Sequence, residues 1–177
     1  MATTLDSYSE ANVNDETNLE ITGAFDAVGQ SFTTPNDGNT YTLDSCKFYL
    51  KQTVAPTGNL TGKLYAHTGS YGSGGVATGS ALATSANVDS ATLGGTMALV
   101  TFTFDNTYSL TPNTNYVIVV DGASITGTVK IGSDSTSPTH SGNSMYYTGT
   151  WNADTRDAAF YVYGTLVSAF TPSVIFI

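Results

Sequence analysis

The sequence predicts an all-β fold, a sandwich of two antiparallel sheets, and three observations lead there. Apolar and polar residues alternate with a period of two in short runs, as in Val100-Thr-Phe102-Thr-Phe104 and Leu60-Thr-Gly-Lys-Leu64. Turn signals such as Pro35-Asn-Asp-Gly38 and Pro56-Thr-Gly58 punctuate these runs. No helix-length stretch carries the helical period. Charged residues make up only 11% of the chain, against about 25% in an average domain. Thr, Ser and Gly take their place: Thr favours strands through its branched Cβ, and Gly and Ser supply turns.

The elements follow in order. Residues 1–24 are polar, acidic and weakly patterned, with isolated Leu5, Tyr8, Leu19 and Ile21, and read as an N-terminal arm. Residues 28–33 read as the first strand of a domain spanning 25–164. In the next strand Tyr41 and Leu43 alternate on odd positions, whereas Cys46, Phe48 and Leu50 alternate on even ones. A change of parity inside one strand needs an extra residue, which predicts a β-bulge near Asp44-Ser45. Leu60, Gly62, Leu64 and Ala66 should face inward. Residues 68–79 form a glycine-rich hairpin loop, and 81–93 are ambiguous. Val100, Phe102 and Phe104 make an inward row. Tyr116-Val-Ile-Val-Val120 is apolar on both faces, as a central strand would be. The short strands 128–132, 144–148 and 158–166 complete the domain, with 158–163 expected beside 28–33. Val100, Phe102, Phe104, Tyr116, Ile118 and Phe160 are the expected core. Residues 165–177 form an apolar tail ending in Val174, Ile175, Phe176 and Ile177. Such a β-prone end needs cover, and strand addition to another subunit would supply it. Leu5 and Tyr8 of the N-terminal arm are expected at the same assembly interface.

Charge narrows the partners. The net charge is −9, and six of the acids, Asp6 to Asp26, fall in the first 26 residues, which hold no basic residue. Five Lys and Arg residues in 177 cannot replace counterions along a phosphate backbone, so no nucleic acid is expected as a partner. The same shortage disfavours anionic membranes, and no segment is long and apolar enough to span a bilayer. The start Met-Ala-Thr-Thr-Leu-Asp lacks the basic and apolar regions of a signal peptide. The single Cys46 excludes an internal disulfide and reads as a small core residue.

Several blocks resemble a widespread jelly-roll module: Gln30-Ser-Phe32, Phe48-Tyr-Leu-Lys51, Pro56-Thr-Gly-Asn-Leu60, Lys63-Leu-Tyr-Ala66, Leu110-Thr-Pro-Asn-Thr-Asn-Tyr116 and Ala159-Phe-Tyr-Val-Tyr-Gly164. The module is similar to β-sandwiches of tailed-phage structural proteins and of bacterial surface and carbohydrate-binding proteins. The resemblance covers roughly residues 28–164. It implies a jelly-roll-like sandwich with extended N- and C-terminal arms. It also implies a non-enzymatic virion protein, made in a host cytoplasm, that serves as capsid decoration or cement or as a fibre or tail part. The implied partners are other virion proteins, further copies of the chain, and surface glycans. The alternative is a carbohydrate-binding module at a cell surface.

No catalytic constellation stands out. His67 and His140 lie in no metal-ligand spacing and read as surface histidines. All three glutamates fall in the N-terminal arm, which leaves no carboxylate pair for glycosidase chemistry. No cofactor is expected. Loop residues Asn36, Asp37, Asn39, Asp121, Asp134 and Asp154 carry oxygens but show no ordered calcium spacing, and Asx turns explain them, so no metal is expected. Tyr146, Tyr147 and Trp151 are the candidate glycan contacts, because aromatic faces stack on pyranose rings. On residue type alone a packing role is preferred, with Trp151 capping the sandwich and Tyr146 or Tyr147 filling the core.

Overall fold

The computed structural model describes residues 1–19 and 25–167. Among them, fifteen strands form two antiparallel sheets. In chain order they are β1 Ala2–Tyr8, β2 Asp15–Leu19, β3 Ala27–Thr33, β4 Tyr41–Thr57, β5 Asn59–Thr68, β6 Val76–Thr84, β7 Val88–Asp89, β8 Ala98–Thr103, β9 Ser109–Leu110, β10 Asn115–Asp121, β11 Thr126–Asp134, β12 Ser144–Tyr147, β13 Trp151–Ala153, β14 Asp157–Ala158 and β15 Phe160–Leu166. The first sheet runs β1-β15-β4-β11-β14, with β2 on β11 and with β8 and β9 on β4. The second runs β13-β12-β3-β10-β5-β6, with β7 on β5. Among the described residues helix is confined to two single 3-10 turns, Glu10–Asn12 and Ser90–Thr92, capped by the Ser9 and Asp89 side chains.

The inner faces supply the core. Phe32, Leu43, Cys46, Phe48, Leu64, Phe102, Ile118, Phe160 and Val162 are wholly buried. Burial pushes the Cys46 thiol far above its ordinary pKa, so it packs as a small hydrophobe. The expected row holds at Phe102 and Phe104, while Val100 is only partly covered. All five residues from Tyr116 to Val120 are buried, as a central strand between β3 and β5 requires. The bulge also falls where the parity change places it. Tyr163 pairs with Ser45 and Gly164 with Leu43, which leaves Asp44 as the extra residue of β4.

Two expectations need correction. Residues 1–19 are not an arm, because β1 pairs with β15 and β2 with β11 inside the chain's own sheet. Tyr8 is buried in the core and Leu5 packs against it, so both are engaged within the chain's own sandwich. The pattern was obscured because β1 is an edge strand with an exposed face. It also carries its own bulge at Leu5, between Thr4 opposite Tyr163 and Asp6 opposite Val162, which breaks the alternation. Glu16 fixes β2 through ion pairs to Lys130 on the adjacent β11 and to Lys51 on β4, one strand further. The second correction follows from the first. β3 and β15 lie in different sheets, since β1 occupies the place beside β15, and β3 sits between β10 and β12. The tail residues Val174, Ile175, Phe176 and Ile177 lie outside the described residues.

Candidate functional site

The outer face of the second sheet is where the aromatic candidates meet. Period-two alternation puts Ala27, Gly29, Val117, Val119, Tyr65, Met145 and Tyr147 on that face, opposite the main core. Ala27, Val117, Val119 and Met145 are buried there with Ala77, as a second small core. That an outer face is buried at all requires the sheet to curl. The strands at its two ends, β13 and β6, come into contact, and the Ala77 amide reaches Met145 Sδ at 3.2 Å. Gly29 permits this floor: a Cβ there would meet the Val117 and Val119 side chains at 2.9 Å. The β5–β6 loop folds over the same side, with Gly72 at φ +81° against the Ser141 carbonyl.

At one end of this trough lies a cleft of about 330 Å³, lined by Ala27, Tyr65, Gly79, Asp121, Tyr147 and Trp151. Trp151 is half-buried. Its ring meets Tyr147 at 5.2 Å and 59°, and Tyr65 at 5.7 Å and 67°. The β12–β13 hairpin positions it, with Tyr147 directly opposite Trp151 in register. Asp121 closes the polar side. Its Oδ2 accepts from Lys63 Nζ at 2.7 Å and its Oδ1 from the Ala123 amide at 3.0 Å. Burial raises the pKa of the Tyr65 phenol, which stays neutral and can donate or accept a hydrogen bond.

Two of the three aromatic residues singled out in the sequence therefore come together. Tyr146 does not join them. It points to the opposite face, packs on Phe25 at 4.2 Å and contacts the main core. Tyr65, Asp121 and Lys63 were not recognised from sequence. Only the outward parity of Tyr65 and Lys63 on β5 hinted at them, and nothing local placed β5 near the β12–β13 hairpin. A second outward aromatic pair, Tyr161 and Tyr163 on β15, is already engaged: Tyr161 donates to Glu10 at 2.5 Å, and Lys47 lies over the Tyr163 ring at 5.2 Å.

The histidines also differ from expectation. The His140 side chain is only 7% exposed. Its Nδ1 accepts from the Gly142 amide at 3.0 Å, so the ring proton sits on Nε2, which donates to Asp6 Oδ1 at 3.2 Å. Its ring packs edge-on to Phe160 at 5.2 Å. His67 is half-buried against Tyr71, and burial lowers its pKa. The sequence hid both because the burial of a loop residue such as His140, or of a residue near a strand end such as His67, depends on what folds over it.

His140 belongs to a polar network at one end of the sandwich interior. Gln30 is wholly buried on β3 and crosses between the sheets. Its Nε2 donates to Asp157 Oδ1 at 3.1 Å, and its Oε1 accepts from the Ala158 amide at 2.9 Å. Desolvation raises the Asp157 pKa despite the donors it faces. A neighbouring hollow of about 230 Å³ is lined by His140, Asn143, Asp154 and Asp157, among others. Among the described residues, no three His, Cys, Asp or Glu side chains converge as metal ligands.

Asp134 anchors the network's outer end. Tyr8 donates to it at 2.7 Å, Asn14 at 2.5 Å, and the Ser137 and Thr136 amides at 3.1 and 3.0 Å. With Tyr8 the largest contributor, these donors hold its pKa down at about 2. A carboxylate depressed on folding contributes stability above its unfolded pKa, near about 3.9, and that contribution is lost as pH falls through the folded value. Urea midpoints should therefore fall between about pH 4 and pH 2, with a shallower fall in Asp134→Asn. Equal slopes for the two proteins would contradict this assignment.

Comparison of the chain with family models, with curated proteins and with solved structures finds no match. No helix among the described residues is long and apolar enough to cross a membrane.

Proposed function

We propose that this chain is a non-enzymatic structural protein of a bacteriophage particle, a decoration, fibre or tail component, that presents a glycan-recognition surface. The observation that carries the recognition half is the cleft in which Tyr65, Tyr147 and Trp151 converge beside Asp121. Aromatic faces and edges with a few fixed polar groups are what a sugar ring needs, because its C–H faces are apolar and its rim is hydroxylated. The structural half rests on the all-β sandwich, the low charge content and the resemblance of its sequence blocks to phage surface modules. Attachment is assigned to Val174, Ile175, Phe176 and Ile177, whose apolar β-prone run suits strand addition to another virion protein or to a second copy.

The test has two readouts. The chain should co-purify with phage particles and cease to do so when residues 172–177 are deleted. The recombinant chain should give glycan-array signals that Trp151→Ala removes without lowering the thermal midpoint substantially. A chain absent from particles defeats the first half of the proposal. An array signal indifferent to Trp151→Ala defeats the second.

A further inference from the structure

We propose that the cleft selects the terminal ring of a neutral glycan and discriminates against anionic sugars such as sialic or uronic acids. This rests on the glycan reading above and specifies its ligand. The first ground is the state of the chain's cations. It has five, and each is engaged: Lys51 and Lys130 with Glu16, Arg156 with Asp154 and Asp15, Lys47 over Tyr163, and Lys63 with Asp121. No cation lines the cleft, and Lys63 reaches it only through its partner Asp121, which does. An incoming carboxylate would thus meet a carboxylate first and find no free cation behind it. The net charge of −9 adds repulsion at longer range.

The second ground is what the ion pair offers a neutral ligand. Asp121 presents acceptors and Lys63 presents donors 2.7 Å apart, a spacing suited to two adjacent hydroxyls of one ring. The pair is partly exposed, at 26% and 17% of side-chain area, so water already competes there and hydroxyls can replace it at little cost. The third ground is size. A cleft of about 330 Å³ stands at the low end of ligand pockets, which span about 300–1,000 Å³. It holds one ring, with Ala27 as floor and the aromatic trio as wall.

Trp151 is the only tryptophan in the chain, so its fluorescence reports on this cleft alone. The full chain would be titrated with methyl glucoside, methyl galactoside and methyl mannoside, and separately with glucuronic acid and N-acetylneuraminic acid. At least one neutral glycoside should give a saturable change and bind about tenfold or more tightly than either acid. In Asp121→Asn, which frees Lys63 and should still fold because the pair is near the surface, that preference should shrink. Acids that bind as well as the neutral sugars would overturn the inference while leaving the glycan reading intact. A preference unchanged in Asp121→Asn would also overturn it, by placing the discrimination elsewhere. Silence from every sugar, together with a blank array, would defeat the glycan reading itself.

Discussion

Phe102→Ala is expected to destabilise the chain by about 3–5 kcal/mol, the range for deleting a wholly buried phenyl ring from a packed core. Phe102 lies on β8, which is joined to the sheet through β4 alone. Its ring has no exposed area and meets Phe48 edge-on at 6.4 Å. Gly62 of the opposite sheet lies directly over it, and a Cβ at Gly62 would come within 2.8 Å of Phe102 Cβ. Collapse into the vacated volume is thus limited on one side by backbone of the facing sheet. The cavity should persist, which puts the cost in the upper part of that range. For a chain of this length the thermal midpoint should fall by about 10 °C. Scanning calorimetry would check this, and a midpoint within a degree of wild type would show that β8 does not carry its ring into the core.

Gln30→Leu should cost about 2–5 kcal/mol although it adds apolar bulk to an interior position, because it orphans two buried groups at once. The Ala158 amide loses its acceptor, and the Asp157 carboxylate keeps only the His140 amide, at 2.8 Å. Asp157 already has its pKa raised by burial, and loss of a donor to its charged form should raise it further. The sign of the pH dependence follows. A carboxylate whose folded pKa lies above its unfolded value opposes folding once ionised, and that penalty lifts as pH falls and the group takes a proton. The deficit of Gln30→Leu relative to wild type should therefore be largest at neutral pH and smaller in mild acid. Denaturant midpoints for both proteins across that range would check it, and a deficit that grows on acidification would refute the role given to Asp157.

Local sequence was informative wherever a residue's fate depended on its neighbours along the strand. The inward row of β8, the all-apolar β10, the Asp-Gly turn before β4 and the bulge at Asp44 were all legible. In each, the period-two pattern or a turn residue acts over a few positions. Strand β1 was not legible, because an edge strand needs few apolar residues and its bulge at Leu5 hides what alternation remains. Its pairing with β15 joins strands from opposite ends of the sandwich sequence, and no local pattern encodes a partner so distant.

The same division holds at the candidate site. Tyr147 and Trp151 lie close in the chain, but the strand β13 that pairs them across a hairpin was not expected from a stretch that reads as polar loop. Which face they occupy depended on register, and that sent Tyr146 to the core and Tyr147 to the trough. The meeting of Trp151 with Tyr65 and Asp121 depended on the curl of a whole sheet, which brings β13 and β6 together over a floor of valine, alanine and glycine. The amino-acid sequence by itself determined the fold class, the core rows and the turns, because each is set by side chains interacting over one strand or one turn. Tertiary structure alone decided the site, because sheet curvature and register are properties of many strands packed together.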